Sequence, residues 1–98
     1  MTIKAIVELT VQPGKRDELV TLLEGLMAQH RPMMQAAGWH SSTMYAVVDD
    51  PDKIVEIAEW QSAEARDAVM QSEAMGAFAP VFELLAAPFN ATLVTELR

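Results

Sequence analysis

The chain has no cysteine, which excludes a disulfide, a thiolate nucleophile and any cysteine metal site, and leaves the composition neutral on redox compartment. Basic residues are also few: Lys and Arg total 7 against 14 Asp and Glu, for a formal net charge of −7 at pH 7. Phosphate recognition needs clustered Lys and Arg, and those here are scattered, so no nucleic-acid partner is expected. No run approaches the roughly 18 apolar residues of a membrane helix, and Met1-Thr2-Ile3-Lys4 lacks the charged-then-apolar plan of a signal peptide. The expectation is a soluble, cytoplasmic protein with no membrane partner. Histidine occurs only as His30 and His40. These form no helical ligand pair and have no carboxylates clustered at ligand spacing, so no metal is expected.

What the chain does have is apolar bulk. Its 98 residues are 51% hydrophobic and 21% charged, enough for a single domain over 1–98 with one core and too short for two. So apolar a short chain is expected to bury part of its surface against a second copy, as a homodimer.

Residues 3 to 11, IKAIVELTV, read as a β-branched strand stopped by the turn chemistry of Gln12-Pro13-Gly14-Lys15. From Asp17 the period changes. Leu19, Leu22, Leu23, Leu26 and His30 fall on the stripe of an amphipathic helix. Pro32 predicts its end near Arg31, with a short further turn over Met33 to Ala37. Trp39 to Val48 reads as a second strand and 53 to 60 as a third, joined through Asp49-Asp50-Pro51-Asp52 as a hairpin with a long loop. Ser62 is placed to cap a helix over Ala63 to Gln71. A second helical piece begins near Ser72 and carries Phe78, Val81, Phe82 and Leu85, with Pro80 marking a first turn or a kink. After Pro88, FNATLVTEL alternates as a final strand. The order β-α-β-β-α-β is the ferredoxin-like plan of an α+β fold.

The segment Ile54 to Ala65, IVEIAEWQSAEA, carries the most chemistry. Period-2 alternation sets Ile54, Glu56, Ala58 and Trp60 on one strand face. If helices cover that face, a carboxylate and an indole share an apolar space, which is either a site or a stability problem.

Five pieces in order resemble a known family: Val11-Gln12-Pro13-Gly14-Lys15 after the first strand, Gly38 before the second, Met44-Tyr45 within it, Asp49-Asp50-Pro51 in the hairpin, and Glu59-Trp60-Gln61-Ser62-Ala63-Glu64-Ala65 leading into the helix. On these residues, spread over almost the whole length, the chain resembles the antibiotic biosynthesis monooxygenase domains. The resemblance implies a four-stranded antiparallel sheet with helices on one face, and a homodimer whose two sheets pack into a dimeric α/β barrel. It also implies a range of activities. Some members oxygenate aromatic polyketide or quinol substrates with O₂ and neither metal nor flavin, and others degrade haem. Haem-degrading members carry an Asn, a Trp and a haem-ligating His where this chain has Val7, Val69 and Ala79, so haem degradation is not expected. Members resembling polyketide hydroxylases line their pocket with the strand Trp, an Asn four residues before it and a Tyr six residues after it. Trp60 matches, while the other two positions hold Glu56 and Arg66. The His of quinol-oxidising relatives falls at Val69.

The resemblance therefore implies a cofactor-independent monooxygenase for a small planar aromatic, polyketide or quinol-like molecule, with molecular oxygen as its second substrate. The alternative is a non-catalytic dimeric domain of the same fold that binds a small molecule or serves as an interaction module. Such chemistry needs one base and an apolar enclosure. Glu56 and His30 are the candidate bases, and Arg66 would hold an oxyanion or pair with Glu56. Trp60, His40 and Trp39 are the candidate substrate-binding residues. Each has a plainer reading: a Glu56–Arg66 ion pair, core tryptophans, a helix-end His30, and a structural His40. Met27, Met33, Met34, Met70 and Met75 suit either a plastic pocket or gap-filling in the core. Met44 and Tyr45 lie on opposite strand faces, so only one of them can meet the helices.

Overall fold

The structure, a computed structural model, describes residues 2–98. Its elements run β1 (Ile3–Thr10), α1 (Arg16–Ala36), β2 (Trp39–Ala46), β3 (Lys53–Trp60), α2 (Ala63–Met70), a 3₁₀ segment (Glu73–Phe78), α3 (Ala79–Glu83) and β4 (Asn90–Val94). The strands form one antiparallel sheet in the order β2-β3-β1-β4. This is the ferredoxin-like α+β plan that the order of elements predicts.

The turn after β1 is closed by Lys15 N–H donating to the Gln12 carbonyl at 3.0 Å, with Gly14 at φ +77. A positive φ is what glycine adopts without a Cβ penalty. Helix α1 buries Leu19 and Leu23 of the expected stripe. It does not end near Arg31, however, but runs through Pro32 to Ala36. Proline forfeits one helical bond, here to the Ala28 carbonyl. The turn beyond it is held by Met34, which is buried in the core, and closed by Ala37 N–H to the Met33 carbonyl and Gly38 N–H to the Gln35 carbonyl. Burial of one large side chain thus overrides a local preference.

Three strand ends differ from expectation. β1 stops at Thr10, and Val11 makes an isolated bridge to Leu85. β2 stops at Ala46 and β4 at Val94, where the chain leaves the ladder and Leu97 stands exposed. Ser62 caps α2 as predicted, its Oγ accepting from Ala65 N–H at 3.0 Å. Pro80 sits in the first turn of α3, where a missing N–H breaks no helical bond.

The two sheet faces are unlike. Ala5, Val7, Leu9, Ile54, Ala58 and Trp60 are buried on the helix-covered face. On the other, Ile6, Val55 and Ile57 are half-buried and Tyr45 is 50% exposed, so an apolar surface is left uncovered. Register also decides between Met44 and Tyr45. Met44 pairs with Glu56 and packs under the helices, which turns Tyr45 outward.

Candidate functional site

Cross-strand register aligns three small side chains in one row on the covered face: Ala5 opposite Ala58, and Ala58 opposite Ser42. Directly opposite residues point to the same side of an antiparallel sheet. A row this short under a helix layer leaves room above it, and a cavity of ≈ 100 Å³ opens there. One flank is the tryptophan row, where Trp39 pairs with Trp60. The other flank is the row in which Val7 pairs with Glu56. Met27 and Met34 of α1, Met70 of α2 and Met75 of the 3₁₀ segment close over it from the helix side. Phe82 and Phe89, stacked at 5.6 Å and each 37% exposed, line the end that meets solvent.

The paired tryptophans differ in one respect. Trp39 Nε1 donates to Ser42 Oγ at 2.8 Å. Trp60 is only 3% exposed, yet its Nε1 is the one buried side-chain polar atom among the described residues with no hydrogen-bond partner. Leaving a buried donor unmet costs about 1–3 kcal/mol. An indole N–H can only donate, so what this wall lacks is an acceptor.

Glu56 lines the same cavity. Burial pushes its carboxyl above the ordinary 4.5, and the Arg66 guanidinium pulls it part of the way back. Desolvation penalises the charged carboxylate, while a nearby cation favours it. Arg66, from α2, also lines the cavity. The two do not close into an ion pair: among the described residues Lys15 pairs with Glu18, and His40 Nδ1 lies within hydrogen-bond reach of Glu59. Glu56 is therefore a half-buried carboxyl with no hydrogen-bond partner among the described residues, beside an apolar space.

Four of the sequence candidates come together around this cavity: Glu56, Arg66, Trp60 and Trp39. Two lie elsewhere. The His30 ring is tilted against Phe78, a residue of the lining, with centroids 6.0 Å apart, but His30 does not itself line the cavity. A bulge between Trp39 and Ser41 turns His40 toward Glu59, with Nδ1 3.3 Å from Oε1, also away from the cavity. Ala5, Ser42, Phe82 and Phe89 belong to the site but were not singled out for it by sequence. The floor residues depend on pairing between distant strands, and the phenylalanines recur at a spacing that equally describes a plain core. Among the described residues no group of three or more His, Cys, Asp or Glu is arranged to hold a metal ion. No helix of those residues is long and apolar enough to cross a membrane.

Comparison with known proteins agrees with this architecture. Residues 2–81 match the family described as antibiotic biosynthesis monooxygenase. Among solved structures, a conserved protein of Methanosarcina mazei superposes with a TM-score of 0.78 at 18% identity, covering 98% of this chain and 93% of its own. A Mycobacterium tuberculosis protein gives 0.75 at 24% identity, covering 100% and 97%. A third structure, described as an antibiotic biosynthesis monooxygenase, gives 0.76 at 18% identity, covering 98% and 99%. At such identities the likeness establishes the fold. No curated protein matches the sequence.

Proposed function

The chain belongs to the antibiotic biosynthesis monooxygenase family, and we propose that it is a cofactor-independent monooxygenase acting on a small planar aromatic, polyketide or quinol-like molecule held in the cavity above Ala58. The observation that carries this reading is Glu56, a carboxyl raised by burial and without a hydrogen-bonded partner among the described residues, on the wall of an apolar cavity. A base works best when its pKa lies near the operating pH, and desolvation moves Glu56 in that direction. Its carboxylate takes a proton from the bound phenol or quinol, the electron-rich anion supplies the electrons that reduce O₂ as a carbon–oxygen bond forms to give a hydroperoxide, and cleavage of its O–O bond releases one oxygen atom as water and leaves the other on the oxidised ring. Arg66 faces the negative charge that develops on the substrate oxygen. The methionines and phenylalanines keep water from the reactive anion. His30 and His40 lie outside the cavity lining, so this reading rests the proton transfer on Glu56 and the ring contacts on Trp60 and Trp39.

A homodimer is part of the same proposal. The half-buried Ile6, Val55 and Ile57, with Tyr45 and Val94 exposed, make an apolar sheet face suited to a second copy. Sedimentation at micromolar concentration is expected to give a dimer, and a monomer would contradict the barrel.

A non-catalytic binding domain is the second reading. It is supported by Val69, buried and inert at the position where quinol-oxidising relatives carry histidine. Oxygen uptake with a panel of hydroquinones and anthrones separates the two. An enzyme exceeds the buffer rate on at least one compound, and Glu56→Gln lowers that rate by about 10²–10⁴-fold, the usual worth of a general base. Trp60→Ala weakens it through lost ring contact. Rates equal to buffer across the panel leave the binding domain.

A further inference from the structure

We propose that the ligand of the cavity carries a carboxylate, held by the Arg66 guanidinium and the Ser42 hydroxyl, so the substrate class narrows to hydroxyaryl carboxylic acids. The apolar wall offers no other seat for such a group. This rests on the ligand-binding part of the function proposed above and is independent of whether the ligand is oxygenated.

The first observation is a cation without an anion. Arg66 is half-buried on the cavity lining, and among the described residues its side chain enters neither an ion pair nor a hydrogen bond. A guanidinium cannot shed its proton to escape an apolar enclosure, so it is stabilised there only by a partner of opposite charge. Glu56 does not supply one, because it makes no ion pair with Arg66 and its burial disfavours the charged form. Arg66 stands where the resembling polyketide hydroxylases have a neutral Tyr. The charge therefore belongs to this chain.

The second observation is a hydroxyl proton left over. Trp39 Nε1 donates to Ser42 Oγ at 2.8 Å, and since an indole N–H can only donate, the serine oxygen is the acceptor in that bond. Its own hydrogen meets no acceptor among the described residues. Ser42 is half-buried and lines the cavity, so this O–H, strengthened by the bond its oxygen receives, can serve a ligand oxygen.

The third is the corner that brings the two donors to one side. A Cβ at Gly38 would stand 2.9 Å from Ala65 Cβ, so the first turn of α2 rests on the backbone that opens β2. Arg66 follows Ala65 in that turn, and Ser42 lies on the strand beginning at Trp39. Glu56 lies farther from the corner, one inward-facing position along β3 from Ala58, the partner of Ser42. A ring over Ala58 with its carboxylate toward the corner turns its opposite edge, and a hydroxyl there, toward Glu56. The ≈ 100 Å³ of the cavity, set beside the about 150 Å³ of an engineered hole that takes up benzene, leaves room for one ring. A carboxylate uses at most two of the five guanidinium N–H donors, and the rest remain for charge developing on the hydroxyl oxygen.

The probes are 4-hydroxybenzoate and 4-hydroxybenzamide, which share ring, hydroxyl and shape and differ in charge. Their dissociation constants would be measured at pH 8 by titration calorimetry on the wild type, Arg66→Gln, Arg66→Lys and Ser42→Ala, with thermal melts alongside. The wild type is expected to prefer the benzoate by at least about tenfold, the margin of a charge-assisted bond over a neutral one. Arg66→Gln should abolish that preference by weakening the benzoate alone, and Arg66→Lys, which restores the charge, should keep most of it. Ser42→Ala should weaken both probes about threefold to tenfold. Its calorimetric stoichiometry reports the folded fraction, so loss of the Trp39 bond does not mask the result. Equal affinity of the wild type for the two probes, a preference that survives in Arg66→Gln, or binding of neither probe would overturn the carboxylate seat. Wild-type affinities in Ser42→Ala would remove the serine from it. If oxygen uptake fails while these ratios hold, only the oxygenase reading falls. If uptake holds while the ratios vanish, only this inference does.

Discussion

The two ends of the helix-covered core are built from the same sheet and the same helix layer, yet one is filled and the other is hollow. Where α1 begins, Leu19, Ile54 and Val11 are no more than 1% exposed and their branched side chains occupy the space between layers. Toward the other end Ala5 and Ala58 are buried almost as completely, but a cavity stands above them. Burial and filling are thus separate properties. A methyl group hidden from water by a distant roof still leaves a void, and side-chain volume alone makes the difference. The hollow end is also where the polar irregularities gather: the unmet indole N–H of Trp60 and the raised carboxyl of Glu56. A core selected only for stability would have neither.

The largest effect should come from reversing volumes at the two ends. Leu19→Ala opens a void in the filled end and is expected to cost about 2–5 kcal/mol in urea unfolding. Ala58→Leu adds more side chain than it should be possible to add to a packed core, where overfilling costs about 1–3 kcal/mol. In the hollow end it should cost less than about 1 kcal/mol or stabilise. If Ala58→Leu proves as damaging as overfilling a packed core, the two ends are equally full and the comparison fails.

A smaller effect tests the corner that brings the tryptophans together. Gly38 has φ +112, and a Cβ there would stand 2.9 Å from Ala65 Cβ. Its carbonyl accepts from Gln61 N–H at 2.7 Å, tying the start of β2 to the end of β3. Gly38→Ala is expected to cost about 1–3 kcal/mol in the same assay. A neutral result would mean that this corner yields freely and does not hold Trp39 against Trp60.

The smallest effect is electrostatic and has a defined sign. Because burial raises the Glu56 pKa in the folded protein above its ordinary 4.5, the native state holds its proton more tightly than the unfolded chain. Its contribution to stability is full below 4.5 and is lost as pH rises through the raised value. Glu56→Gln should therefore be more stable than wild type at pH 8, by about 1 kcal/mol or roughly 4–8 °C in Tm. The advantage should disappear toward pH 4. A constant difference across that range would mean that the carboxyl is not desolvated.

Much of this fold was legible in local sequence. The strand, turn and cap signals gave the order of elements, because alternation, glycine at a positive φ and the Ser62 cap each act within a few residues. Glu56 and Trp60 could be put on one face by counting along a single strand. Pro32 misled because the stability of its helix turn comes from Met34 packing into a core that no local window contains. The cavity floor was hidden for a related reason. Ala5, Ser42 and Ala58 become neighbours only through strand pairing, and an alanine in sequence does not say whether the space above it will be filled. His30 lay on the expected α1 stripe, but the stripe did not tell a residue that lines the cavity from one that only meets its lining residue Phe78.

The central claim is that Glu56, in the hollow end of the core, is the base of an oxygenation. It is tested most directly by the pH dependence of kcat/KM for oxygen uptake with an active hydroquinone or anthrone, in wild type and Glu56→Gln. The account predicts a wild-type rate that climbs with pH through an apparent pKa above 4.5 as the carboxylate forms. In Glu56→Gln that rise should be gone and the plateau lower by about 10²–10⁴-fold. A variant that keeps both the rise and the rate, or a wild type no faster than buffer, would contradict it.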